Sequence, residues 1–410
     1  MSLRRVSVGV LVALAFVSTA PADAQEVSEK TVHSRKCFVL KSKHVEVAVT
    51  EIGGHMAPVM FYRDSDKPVQ PYHISPWQDE PASSMPAPVL VSLRGDFFCM
   101  PFGGNQMALG NEQHPPHGEV AGSPWKLEPL RHSNDVSTMV LTFETKVRTG
   151  KVTKELSLVD SQNVVYTKHT IEGFEGRVPL GHHATLAMPD KEGSVRLSSS
   201  AIRFGMTYPG LFSDPKLREY QALLPGEKWT SLSEVPRAWK NQKNADVSRQ
   251  PGQQGFADLV QIFNEAPEKT GGVAWMTATN SEAGYLWFSL KDPSVLNSTV
   301  FWMENRGRHG HPWNGRNNCL GLEDVTAYFA DGLVASMESN VINQQGIATT
   351  VELSKSHPTT INYIQGVAKV PAGFDVVTKA DFAVGQVTFW CGDQSVVVPV
   401  RHEFLRTGKL

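Results

Sequence analysis

Apolar and polar residues alternate at period two in segment after segment of this 410-residue chain. That pattern restricts the fold more than any other feature, because only a strand with one buried face repeats every second residue. His44–Thr50 alternates and then meets the turn pair Gly53-Gly54; Ser137–Val147 alternates again. Val152–Leu158 and Asn163–Ile171 predict a hairpin around Asp160-Ser161-Gln162. Val195–Phe204, Gly272–Thr279 and Tyr285–Leu290 extend the series, with late strands at Ala348–Leu353, Gly385–Cys391 and Ser395–Val400. Only Phe256–Phe263 and Asp331–Glu338 read as short helices. Many short strands, Gly/Pro/Asn turns and few helices predict an all-β sandwich or barrel rather than a wound α/β sheet. Residues 209–255 are polar, Pro-rich and weakly periodic, and read as an irregular surface insertion near one end of the sheets.

The N-terminus reads as a signal peptide over residues 1–24. Arg4 and Arg5 precede an apolar run from Val6 to Val17, and Ala22-Asp23-Ala24 is a small-x-small cleavage site before Gln25. The expected location is therefore secreted or periplasmic. Residues 25–35 read as a linker and 36–410 as one domain, without a Gly/Ser divider or an internal repeat. Removing the signal takes away two Arg and one Asp, so the formal charge moves from −2 to −3. Such a chain is poorly suited to nucleic acid or to an anionic membrane, and suits a neutral small molecule such as a sugar. No later stretch is apolar enough for a membrane helix. Cys37, Cys99, Cys319 and Cys391 are widely spaced, which argues against a zinc site and leaves disulfide pairing open. Nothing in the pattern sets an oligomeric state.

Three segments carry the chemistry. In Gly95–Glu128, an apolar run Phe97–Met100 is broken by Pro101, Gly103 and Gly104; a polar loop then ends in His114-Pro115-Pro116-His117-Gly118 before a strand at Trp125–Glu128. Two prolines stiffen the backbone that carries His117, and such loops often carry function. The second segment has His182-His183 opening the alternating run Ala184–Met188. Adjacent strand residues point to opposite faces, so only one of the two can face a given cleft. In the third, His309–Asp331, Glu323 stands among Leu320, Leu322, Val325, Tyr328 and Phe329, company that would raise its pKa and suit it as a base. Trp313 is a candidate platform for the apolar face of a sugar ring, whereas Trp302 reads as core. His309-Gly310-His311 lacks identifiable further ligands, so no metal site is assigned.

Pro101-Phe102-Gly103-Gly104-Asn105, then His117-Gly118 and Trp125-Lys126-Leu127, then His183 at a strand start, then Gly321-Leu322-Glu323, together resemble the aldose 1-epimerase (galactose mutarotase-like) family. The resemblance spans most of the chain. It implies a large antiparallel β-sandwich with few short helices, a small-molecule sugar or oligosaccharide as partner, no cofactor, Glu323 as catalytic base, His183 as acid, and His117 beside the ring oxygen. Asn105, His182, Trp313 and Arg316 would contact the sugar. The family's Asp between the second His and the Glu has no clear counterpart; Asp246 and Asp258 are the nearest. The implied reaction interconverts α and β anomers: a base takes the C1 hydroxyl proton, an acid protonates the ring oxygen, and the open aldehyde recloses on its other face. A secreted sugar-binding protein without catalysis is one alternative. Another is a lyase or hydrolase on the same sandwich, the hydrolase needing a second carboxylate such as Glu119 or Asp324.

Overall fold

The computed structural model describes residues 27–239 and 241–410. The signal-peptide reading, residues 1–24, lies outside them. Two large antiparallel sheets dominate. One has nine strands in the order Arg249–Gln250, Val195–Ser199, Ala274–Asn280, Tyr285–Lys291, Thr359–Lys369, Val164–Glu172, Gly150–Val159, Val136–Thr145 and Lys126–Ser133. The other has eight. Lys228–Trp229, Ile202–Thr207, Phe256–Asn264, Ser298–Asn305 and Asn318–Thr326 lie side by side; Leu180–His182 and Phe98–Cys99 follow, and Ala184–Ala187 also pairs with Asn318–Thr326. Their facing side chains form one core, with Leu141, Leu156 and Val165 from the first and Ile262, Phe301 and Leu322 from the second. A four-stranded sheet over Ser28–Phe61 joins this core through Val47 and Phe61. A C-terminal meander, Lys379–Pro399, covers the outer face of the nine-stranded sheet, where Phe389 lies 5.2 Å from Phe288, ring to ring.

The alternating segments are strands, and the expected hairpin pairs Gly150–Val159 with Val164–Glu172. Three readings are corrected. Phe256–Phe263 is not a helix: Phe256–Asn264 is a strand in the middle of the eight-stranded sheet, buried on both faces, and such strands lose the alternation that marks exposed ones. Val195–Phe204 is two strands. The chain breaks at Ser200-Ala201 and crosses to the other sheet, with the Ser200 hydroxyl accepting the Trp275 N–H at 3.2 Å. The expected linker, residues 25–35, contains an edge strand, Ser28–Val32, paired with Arg35–Lys41. Glu323 lies in a buried central strand, Asn318–Thr326. The second expected helix is present at Leu333–Met337, and among the described residues no helix is long and apolar enough to cross a membrane.

Candidate active site

The site lies on the face of the eight-stranded sheet turned away from the inter-sheet core. Strand parity decides what reaches it. Along Asn318–Thr326, Leu320, Leu322 and Asp324 point inward, while Cys319, Gly321, Glu323 and Val325 point outward. Glu323 pairs in register with Val300, and Gly321 with Trp302 on the neighbouring strand. The absent side chain of Gly321 matters here: a Cβ at this position would stand 2.5 Å from Glu323 Oε1 and 3.1 Å from Trp302 Cβ. Glycine leaves the space that the carboxyl occupies.

His183 sits at the break between Leu180–His182 and Ala184–Ala187, with its backbone N–H donated to the Phe97 carbonyl at 2.9 Å. Its Nε2 is 3.2 Å from Glu323 Oε1, and its Nδ1 is 3.1 Å from Thr185 Oγ1. The imidazole stacks on Phe97 at 4.5 Å, and Phe97 stacks in turn on His55 at 4.0 Å, so the ring is held in one plane. His117 stands edge-on to His183, ring centroids 5.0 Å apart. Its backbone is in the left-handed region, φ 60°, a strained position of the kind that clusters at functional sites. The loop is clamped there: His117 donates its N–H to the Gly103 carbonyl and accepts that of Met100. Next to it, a Cβ at Gly118 (φ 80°) would collide with the Met100 carbonyl oxygen at 1.9 Å.

Burial drives every acid–base group here toward its neutral form. Glu323 is held well above the ordinary carboxylate range by desolvation, although Arg308 pulls it down. His183 is pushed well below the ordinary imidazole range, first by desolvation and then by neighbouring His117. Desolvation lowers His117 to about 4. Glu323 and His183 therefore form a neutral hydrogen-bonded pair sharing one proton, rather than an ion pair.

A cleft of about 260 Å³ opens above this pair. That is the scale of a small ligand. Ala87, Val89, Leu90 and Leu93 form one wall, and Phe212, Leu259, Trp302 and Trp313 another; His117, His183, Glu323 and Arg308 supply the polar groups. Phe212 comes from the irregular 209–255 segment, which thus contributes a wall rather than a mere surface excursion. Trp313 meets Trp302 edge-on at 5.6 Å.

The structure brings together Glu323, His183, His117 and Trp313, and separates the other candidates from them. His182 points the opposite way, into the inter-sheet core, where Nδ1 meets Asp96 Oδ2 at 2.9 Å and the ring stacks on Tyr363 at 4.1 Å. Asn105 is consumed by the loop itself. Its amide donates to the carbonyls of Pro101, Gly103 and Pro115, and its Oδ1 accepts the Leu333 N–H at 2.9 Å, so it holds the His117 loop instead of contacting a ligand. Arg316 turns back on the Pro312 carbonyl and Glu80, outside the cleft. Asp258 accepts the N–H groups of Ala222 and Leu223, and Asp246 that of Ser248; neither lines the cleft. Glu119 binds the N–H groups of Lys146 and Val147, and Asp324 faces the core. His311 approaches the Ser84 carbonyl at 2.9 Å. Trp302, read as core, lines the cleft, and Arg308 was missed. Its one sequence signal is an Arg-Gly-Arg turn directly after an apolar strand.

No family model matches this sequence, and no curated protein matches it. Solved structures do. A protein described as a putative aldose 1-epimerase from Klebsiella pneumoniae is 11% identical, with 83% of each chain covered and a TM-score of 0.57. A galactose mutarotase-like protein from Clostridium acetobutylicum is 12% identical, over 84% of this chain and 99% of that one, TM-score 0.55. A putative mutarotase from Salmonella typhimurium is 11% identical, over 84% and 94%, TM-score 0.54. The fold is the galactose mutarotase-like sandwich.

Proposed function

We propose that this protein is an aldose 1-epimerase-like isomerase in which Glu323 and His183 open and reclose a sugar ring. The observation that carries this reading is the 3.2 Å contact between Glu323 Oε1 and His183 Nε2 on the floor of a cleft that also holds His117. One shared proton is what the reaction needs. The shared proton first passes from Glu323 to His183; the resulting Glu323 carboxylate accepts the C1 hydroxyl proton while the imidazolium gives its own to the ring oxygen. After rotation about C1–C2 the transfers reverse, and the pair returns to its starting charge. Each positioned group is worth roughly 10²–10⁴ in rate. The hydrolase alternative is less well supported, since neither Glu119 nor Asp324 shares the cleft with Glu323. On the sequence pattern we also propose that the protein is exported after loss of residues 1–24.

The test is anomer exchange of a freshly dissolved α-aldose, followed by polarimetry or NMR. Glu323→Gln and His183→Asn should each slow catalysed exchange by about a hundredfold or more, and the double variant should be little worse than the poorer single, because the residues act as a unit. The active form carries one proton per pair. Its lower limit is set by a depressed imidazole and its upper limit by an elevated carboxyl. The pH–rate profile should therefore be flat through neutrality, falling only in acid, when a second proton binds, and in alkali, when the last one leaves. A Glu323→Gln protein that exchanges anomers at the wild-type rate would end this reading.

A further inference from the structure

The cleft holds one group that ring opening does not use. Arg308 follows the strand Ser298–Asn305 through a turn at Arg306 (φ 62°) and Gly307, where a Cβ would stand 2.4 Å from the Phe256 carbonyl carbon. Glu304 ties that turn by accepting the N–H groups of Gly307 and Arg308 on one oxygen, at 2.9 and 3.1 Å. The guanidinium is thereby returned over the sheet, into the place where the catalytic cleft meets an adjoining cavity lined by Tyr208, Gln106 and Asp331. Its carbon lies 4.9 Å from the Phe212 ring, 5.2 Å from Trp313 and 5.9 Å from Trp302. Aromatic faces attract the charge but do not satisfy in-plane N–H donors. Among the described residues no side-chain N–H of Arg308 makes a hydrogen bond; its nearest charged neighbour is Glu304 Oε2, 3.6 Å from Nε, beyond hydrogen-bond range. The side chain is 27% exposed, so these donors are open to the cleft.

We propose that Arg308 is a carboxylate receptor and that, given the isomerase reading above, the substrate is an aldose bearing a carboxylate, a hexuronic acid. Three observations favour this class. First, Arg308 is the only Arg or Lys among the residues lining either cavity, and a planar fork matches a planar monoanion. A phosphate dianion would ordinarily call on more than one cation or a cluster of backbone N–H groups. Second, Trp302 bridges the two functions, its ring lying 5.8 Å from the His183 ring and 5.9 Å from the guanidinium, so one sugar ring could reach both. Third, among the described residues no carboxylate already occupies the guanidinium with a hydrogen bond. Glu323 faces His183, Asp331 accepts the Tyr208 hydroxyl, Glu219 accepts the N–H groups of His309 and Gly310, and Glu304, raised by burial to about 7, stays 3.6 Å from Nε.

Calorimetric titration of the full exported chain with galacturonate, glucuronate, the matching neutral hexoses and glucose 6-phosphate tests this. The wild type should bind one uronate at least tenfold more tightly than the hexose of the same configuration. That preference should weaken above about pH 7, as Glu304 gains charge, and in high salt. Arg308→Gln should lose roughly 10- to 100-fold of the uronate affinity, bringing it down to the hexose value, and Arg308→Lys should retain part of it. Near-UV circular dichroism reports whether the variants fold, and the wild-type comparison of ligands does not depend on them. Equal affinity for uronate and hexose in the wild type would overturn the proposal. So would tighter binding of the hexose phosphate, or an Arg308→Gln protein that keeps the preference. If uronate binds through Arg308 but its anomers exchange no faster than in buffer, the isomerase reading fails and the carboxylate site stands.

Discussion

Glu323 is placed at a cost to stability, and that cost can be measured. In the unfolded chain its carboxyl titrates in the ordinary glutamate range, near pH 4.3; in the fold it is held well above that by burial. A carboxyl whose folded pKa is raised binds its proton more tightly in the native state, so between the two pKa values stability falls as pH rises. Glu323→Gln keeps the shape and can donate to His183 Nε2, but has no proton to hold. The variant should be as stable as the wild type near pH 4 and progressively more stable above it, by up to about 1.4 kcal/mol per pH unit. Thermal melts at a series of pH values would show the divergence, and parallel curves would mean that the carboxyl is not held neutral. For a residue proposed as catalytic, removal that stabilises the fold is an expected trade of stability for activity. Gly321 belongs to the same arrangement, since it makes the room that Glu323 fills.

The strand Asn318–Thr326 does two things at once, because its two faces differ. Glu323 faces the cleft; its neighbour Asp324 faces the inter-sheet core, fully buried. There it meets Lys291 Nζ at 2.6 Å and accepts Ser289 Oγ and Tyr363 OH, both from the nine-stranded sheet, at 2.7 Å each. Thr299, from its own sheet, donates at 2.6 Å. Burial by itself would raise the Asp324 pKa, but Lys291, Thr299 and Ser289 outweigh it and hold the carboxyl below its ordinary range. This polar junction fixes the register of the sheets and hence the strand that presents Glu323. Asp324→Asn leaves the Lys291 charge buried without its partner and should cost roughly 3–5 kcal/mol in urea denaturation. A depressed carboxyl stabilises above its unfolded pKa, and that contribution is lost as pH falls through the folded one. The difference between wild type and Asp324→Asn should therefore shrink in strong acid. A loss under about 1 kcal/mol at neutral pH would contradict the strength assigned to the junction.

Taken whole, the molecule combines a small formal net negative charge with a cleft in which Arg308 is the one Arg or Lys among the described lining residues. The four cysteines are unpaired, and Cys37, Cys99 and Cys319 are buried as small apolar side chains, so the fold does not depend on disulfides. That is compatible with the proposed export, since an oxidising compartment permits disulfides without requiring them. Mass spectrometry of the exported protein should find Gln25 as the first residue; an intact Met1 in the exported form would defeat the proposal. The same architecture at 11–12% identity to solved structures shows how little of a sequence the sandwich constrains. It needs apolar residues on the right parity, and many sequences supply them.

Parity is also what the chain could tell unaided. Alternation in Val45–Thr50, Val136–Thr145 and Gly150–Val159 placed strands because each has one side toward a core and another toward something different. The same rule established that only one of His182 and His183 could face a cleft, and the residue types around Glu323 indicated a carboxyl in apolar company. Where a strand is buried on both faces the rule fails, and Phe256–Asn264 looked helical for that reason. The remainder depended on contacts between residues far apart in sequence. Asn105 resembled a ligand-binding residue until the carbonyls of Pro101, Gly103 and Pro115 claimed its amide. His182 was decided by Asp96, 86 residues away. Arg308 carried no periodic signal, and only the packing of Phe212, Trp302 and Trp313 around it turned a surface-type residue into the one cation of the cleft. Local pattern records which side of a strand is apolar; which polar groups keep their hydrogen-bonding capacity free is set only when the whole chain has closed around them.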